Sequence, residues 1–257
     1  MQRTIDGITY IIDIEKNEAA VKKAKKGITD ANILPMVEYK PVKKINKAAF
    51  KGQEELTNVT IPNTVKEIGS YAFYGCSNLN SIDIPDSVTE IGHTSFCFCE
   101  SLKSVNLPSF ISKIEAGMFI RCYELKEIEI PTSVKAINNN AFWVCSGLEK
   151  IIIPDSVTYI GKEVFAACKS LKTVKLPYRL TEIAEGTFAH CESLEHVEIP
   201  DYVTDIGEDA FSFCPNIKHV WFNSNLVNRP DADEIFSQMF KAGLKTREVL
   251  LRIPSKN

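Results

Sequence analysis

Apolar and polar residues follow one short pattern that returns every 23 residues along most of the chain. In Leu148-Glu149-Lys150-Ile151-Ile152-Ile153-Pro154, Ile151 and Ile153 alternate with their neighbours as in a half-buried strand. Pro154 has no N–H to give a ladder, so the strand stops there. Val157 and Ile160, three residues apart, turn inward on the next side, where Gly161 is expected to ease the bend. The repeated Ala-Phe-x-x-Cys, as in Ala141 to Cys145, reads as a single α- or 3₁₀-helical turn that carries Phe and Cys inward. One unit therefore makes one coil, and its apolar side is buried only when coils stack.

Five columns keep this register without an insertion. Phe stands at Phe50, Phe73, Phe96, Phe119, Phe142, Phe165, Phe188 and Phe211. Cys stands at Cys76, Cys99, Cys122, Cys145, Cys168, Cys191 and Cys214. The other columns are Pro (Pro62 to Pro200), Leu (Leu56 to Leu194, then Ile217) and Ile (Ile45 to Ile206). Self-similarity at such a period is the signature of a solenoid, with strands of successive coils about 4.8 Å apart in a parallel sheet.

The unit L-x-x-I-x-I-P-x-S-V-x-x-I-G-x-x-A-F-x-x-C resembles the BspA-like (Treponema-type) leucine-rich repeat over residues 33–222. Even Ile33 to Val42 resembles that family's first turn, with Pro35 where the register calls for position 39, so that four residues are inserted. The resemblance implies an α/β-type repeat solenoid with a parallel sheet on its concave face and short helical turns elsewhere. It also implies secreted or cell-surface proteins that bind host proteins or other cells.

Solenoid ends must cover the core that an open coil would expose. Residues 1–32 read as an N-terminal cap, with strands over 5–14 and 19–21 in a hairpin around 15–18. Residues 223–257 read as a C-terminal cap. Asp231 and Glu234 have capping-box spacing, Ile235, Phe236, Met239 and Phe240 share a face, and Gly243 suits the position after the helix. The expected helix spans about 231–242, and a strand over Val249 to Ile253 follows.

Composition adds exclusions. The chain has 257 residues, 44% hydrophobic and 25% charged, with a net charge of −3. These values exclude wholesale disorder and a general nucleic-acid binder. No apolar run reaches the ~18 residues of a membrane span, and the start lacks the apolar core of a signal peptide. Charge is uneven: residues 1–51 hold eleven Lys and Arg against six acids, +5, which leaves −8 for the rest. That end is read as a solvated cap or as a surface for an acidic partner.

Candidate chemistry is sparse. There is no phosphate-binding glycine loop, nucleophile elbow or H-E-x-x-H, and only four His, so no enzyme is expected. His190 precedes Cys191, but the columns send Cys191 inward and His190 outward. The ladder cysteines are expected to be free thiols packed as apolar filler, with Cys97, outside the ladder, near the surface. Free thiols fit a reducing compartment, and so the alternative of an intracellular scaffold stands beside cell-surface recognition. Asn58-Val59-Thr60 is a glycosylation sequon on a strand.

Outward strand positions supply the candidate binding face. Its early coils are small and polar and then acidic (Glu127, Glu129). Its last four coils carry Lys150, Ile152, Lys175, His196, Glu198, His219 and Trp221, the mixture expected of a hot spot for a protein ligand. His196, His219 and Glu198 are also zinc-ligand types, although with no identifiable orienting groups they read as an exposed polar ladder, and no metal or cofactor is expected. A second stripe, Tyr74, Phe98, Ile120 and Trp143, lies between the Phe and Cys columns and either faces a partner or tucks between neighbouring turns. The expected protein is a monomer.

Overall fold

The computed structural model describes residues 1–223, Ser237 and Val249–Arg252. Strands β1 (Gln2–Ile5), β2 (Ile8–Asp13) and β3 (Glu18–Ala24) form an antiparallel meander. The strand expected from residue 5 begins only at Ile8. Asp6 and Gly7 both have positive φ (48° and 79°), as a two-residue hairpin turn requires. β4 (Asp30–Asn32), β5 (Met36–Val37) and β6 (Lys40–Ile45) follow. β5 folds back on β6 across Glu38 and Tyr39, both left-handed, so the insertion becomes a tight hairpin at the surface. Tyr10 is fully buried, and its hydroxyl accepts a hydrogen bond from the Leu34 amide (3.1 Å), which ties the meander to the first turn.

From here each coil offers a longer strand to one face and a two-residue strand to the next. In chain order these are β7 (Asn58–Thr60) and β8 (Glu67–Ile68), β9 (Ser81–Asp83) and β10 (Glu90–Ile91), and β11 (Ser104–Asn106) and β12 (Lys113–Ile114). Then come β13 (Ala136–Ile137) alone, β14 (Lys150–Ile152) and β15 (Tyr159–Ile160), and β16 (Thr173–Lys175) and β17 (Glu182–Ile183). The last are β18 (His196–Ile199) and β19 (Asp205–Ile206), β20 (His219–Asn223) and β21 (Val249–Arg252). On the first face β14, β16, β18, β20 and β21 form one parallel sheet, whereas β4–β7 and β9–β11 are separate pairs. Residues 127–129 are not in strand conformation, and the face is interrupted there.

Between strands, six of the seven ladder Pro carbonyls close a turn by accepting the amide three residues on, as Val88 donates to Pro85 (2.9 Å) and Val157 to Pro154 (3.0 Å). The Ser of P-x-S-V fastens coil to coil: Ser87, Ser133 and Ser156 donate to the Val65, Ile111 and Val134 carbonyls at 2.6–2.8 Å.

The corner around Phe is not helical. Ala72, Tyr74 and Cys76 donate to the carbonyls three residues back (3.1–3.2 Å). The intervening Tyr71, Phe73 and Gly75 donate instead to His93, Ser95 and Cys97 of the next coil (3.1, 2.8 and 2.8 Å). A helix would need these same amides for its own i−4 carbonyls. Aiming every second amide along the stack takes two left-handed residues per coil, here Tyr71 (φ 59°) and Gly75 (φ 71°) and in a later coil Asn140 (57°) and Val144 (59°). For a residue with a side chain that conformation costs about 1–2 kcal/mol, offset here by a ladder repeated at every coil. The Gly161 column also differs from expectation. Gly161 has no left-handed backbone; a Cβ there would lie 2.7 Å from the Asn139 amide nitrogen, so glycine admits close approach of the preceding coil.

All eight ladder Phe side chains are fully buried. Neighbouring rings stack with centroids 5.0–5.6 Å apart and planes within 4–15°. Such pairs contribute about 0.5–1.5 kcal/mol each beyond area burial. The expected helix over 231–242 and the residues chosen for its face lie outside the described residues, apart from Ser237.

Two variants test this packing. Phe142→Ala is expected to lose about 3–5 kcal/mol in urea unfolding and to split the transition into two segments. A loss under about 1 kcal/mol would place Phe142 outside the core. Gly75→Val, which puts a β-branched residue in a left-handed position, is expected to lose about 1–2 kcal/mol, and an unchanged unfolding midpoint would argue against the strain.

Candidate functional site

The outward positions of the first face are where the alternation places them. Lys150, Ile152, Lys175 and Glu198 are exposed, and His196, His219 and Trp221 are half-buried. Parallel register puts Lys150, Thr173, His196 and His219 in one column and Ile152, Lys175, Glu198 and Trp221 in the other. Ile152 keeps 49% of its surface in water, a large apolar group on a flat sheet.

Three rings meet at the C-terminal end of this face. His196 stacks on His219 (centroids 5.3 Å) and, diagonally, on Trp221 (5.1 Å), with His219 and Trp221 6.1 Å apart and all planes within 13°. The diagonal pairing crosses the two columns and cannot be read from either alone. Strand backbone holds these rings, so little freedom remains for a ligand to remove. Around them, Glu195 accepts from Lys218 (2.8 Å), which holds its carboxyl below the usual range, and lies 3.8 Å from His196 Nε2. Among the described residues no three His, Cys, Asp or Glu side chains converge as a metal group.

The second stripe is only half in water. Tyr74, Phe98, Ile120 and Trp143 are all half-buried. Lys51 lies over Tyr74 (5.0 Å) and Arg121 over Phe98 and Trp143 (5.0 and 6.0 Å), so a cation stands over each of the three rings. Tucking against neighbouring turns describes this stripe better than an open apolar patch does.

The cysteines do more than fill space. All eight are free thiols. Each ladder Sγ donates to the carbonyl of the Phe one coil back, from Cys76 to Phe50 (3.2 Å) through Cys145 to Phe119 (3.0 Å) to Cys214 to Phe188 (3.0 Å). Most of these carbonyls also accept an amide of their own coil, as Phe73 does from Cys76 (3.2 Å), so the thiol takes the second lone pair. Cys97, expected near the surface, is 2% exposed: its short side chain shares a column with the bulkier Tyr74 and Ile120. Cys214, at the ladder's end, is the half-exposed thiol. Burial pushes the thiols of Cys76, Cys97 and Cys145 up to about 12 and that of Cys214 to about 11, and holds Cys99, Cys122, Cys168 and Cys191 well above the usual value. Such thiols are not nucleophiles. His190 turns away from Cys191 and stacks on Phe213 (4.5 Å), so no dyad forms.

Among known families, the BspA type leucine-rich repeat region matches residues 33–149 and 135–249, in six copies. The fold is similar to that of a leucine-rich repeat protein of T. pallidum, with 23% identity over 97% of this chain and 99% of that one and a TM-score of 0.59. A leucine-rich cell surface protein from Faecalibacterium prausnitzii shares 23% identity over 96% of this chain and 98% of its own, with a TM-score of 0.46. No curated protein matches significantly. Among the described residues no helix is long and apolar enough to cross a membrane.

The thiol ladder sets a pH dependence. A thiol that keeps its proton in the folded state beyond the unfolded value of about 9 stabilises the fold fully below that pH, and the stabilisation is lost as pH rises toward 11 and 12. Urea midpoints should therefore fall steadily above pH 9. Cys145→Ala should start less stable and fall less steeply; equal slopes would remove the thiols from the account.

Proposed function

Because the chain belongs to the BspA type leucine-rich repeat family, whose repeats are generally protein-interaction modules, we propose that it is a non-catalytic recognition module for a protein ligand. Its binding face is the outer surface of β14, β16, β18 and β20, with Lys150, Ile152, Lys175, His196, Glu198, His219 and Trp221 as the groups that meet the ligand. The observation that carries this reading is the parallel stack of His196, His219 and Trp221 on the longest continuous sheet of the first face.

Aromatic groups on rigid backbone, ringed by polar and charged neighbours, are the usual anatomy of an energetic centre in a protein interface. Here Ile152 adds apolar area two strands away, while Lys175 and Glu198 offer charges of both signs that select a partner's orientation.

The test begins with the intact solenoid immobilised, its retained ligand identified by mass spectrometry and then purified for titration. Ile152→Ala, Lys175→Ala and Trp221→Ala are each expected to weaken binding, the Trp variant by about 2 kcal/mol, roughly 30-fold. Tyr74→Ala and Trp143→Ala should leave affinity unchanged. Loss confined to those two would move the site to the Phe–Cys corner.

A further inference from the structure

We propose a second site, at the opposite end of the solenoid: a cationic cleft that takes a sulfated polysaccharide. The cleft, of about 610 Å³, lies between the N-terminal meander and the first Phe-bearing coil. Its charged lining is Lys23, Lys25, Lys26 and Lys51, with Thr4, Thr9 and Gln53 among its polar groups. No carboxylate lines it, and none of the four lysines is in an ion pair within the described residues. Two acids flank the lining, Glu55 beside Gly27 and Asp6 next to Gly7 in the chain.

The basic loop is built, not loose. Gln53 stands where later coils have their ladder Cys, and it is buried (7% exposed). Its Oε1 accepts from the Gly27 amide (3.2 Å) and its Nε2 reaches the Ala24 carbonyl (3.5 Å), so one side chain brackets Lys25 and Lys26 on both sides. The backbone is held as well: the Lys25 amide donates to the Gly7 carbonyl (2.6 Å) and the Ala24 amide to the Ala49 carbonyl (2.8 Å). Lys25 and Lys26 are thus held on one side of the cleft, with Lys23 beside them and Lys51 at its edge, over the Tyr71 and Tyr74 rings (5.7 and 5.0 Å). An anion would relieve the repulsion among these like charges.

The chemistry of the lining chooses the ligand. Lysines are point charges without the planar fork that selects carboxylate or phosphate in two-point fashion, so they suit several dispersed anionic groups. The exposed Thr4 and Thr9 hydroxyls, 3.0 Å apart on the cleft wall, suit a polyhydroxylated backbone between those groups. A nucleic acid fits less well. It needs a basic surface that continues along the strand, and beyond residue 51 the chain carries −8.

The full chain is titrated by calorimetry with a heparin-derived hexasaccharide at 50, 150 and 300 mM salt. Binding at 150 mM is expected, with log affinity falling linearly with log salt at a slope on the order of three. Lys25→Gln/Lys26→Gln should weaken it about tenfold or more, while Lys162→Gln/Lys169→Gln, which removes the same charge from later coils, should not. Circular dichroism checks that both fold, which is expected because these lysines are exposed. The N-desulfated hexasaccharide should lose most of the affinity. Equal weakening by the two double variants, no binding at 150 mM, or equal affinity for a DNA oligonucleotide of matched charge would overturn the proposal.

Discussion

The constraint on which this structure depends is the constant rise from coil to coil at the Phe–Cys corner. Three amides per coil point along the stack to the next coil's carbonyls, and the Phe rings behind them repeat at 5.0–5.6 Å. Both interactions require the same spacing. An extra residue in any coil would shift every later ring and amide out of register, which explains a 23-residue period kept without insertion from Phe50 to Phe211. The single tolerated insertion, before β6, lies outside that ladder and is taken up in a hairpin.

Satisfying the backbone inside such a stack also accounts for the choice of cysteine. The Phe carbonyl faces the core with one lone pair used by an amide of its own coil. A hydroxyl at the next coil's position would carry a larger desolvation penalty, and an alkyl group would leave the second lone pair unmet. A thiol is small, mostly apolar and a weak donor, and seven of them do the same work in register. At the first coil, where a loop and not another Phe carbonyl needs holding, Gln53 replaces it.

With the interior so uniform, individuality is confined to positions that leave the stack. The strand face is varied in its last coils, and the N-terminal meander concentrates lysine. The two candidate surfaces therefore lie toward opposite ends of one solenoid, one with stacked rings and charges of both signs, the other with lysines as its only charged lining. The uneven charge, +5 over residues 1–51 and −8 beyond, is the electrostatic counterpart of that division.

The sequence by itself determined the solenoid, its inward Phe, Leu, Ile and Cys columns and the outward residues of the strand face, because each is a matter of spacing along one chain and spacing is what a repeat displays. The Asp6-Gly7 turn was also legible as a hairpin signal, although the strand was read through it. Other features were decided only between coils. Ala-Phe-x-x-Cys has a locally acceptable helical pattern, but its amides bond to the next coil, which selects left-handed residues such as Val144 against their own preference. The same holds for the close approach at Gly161, the burial of Cys97 beneath its column neighbours, the thiol bonds to Phe carbonyls and the diagonal stack of His196 on Trp221. Each depends on atoms 22 to 26 residues apart in the chain that only stacking brings within a few ångströms, and no local propensity encodes them.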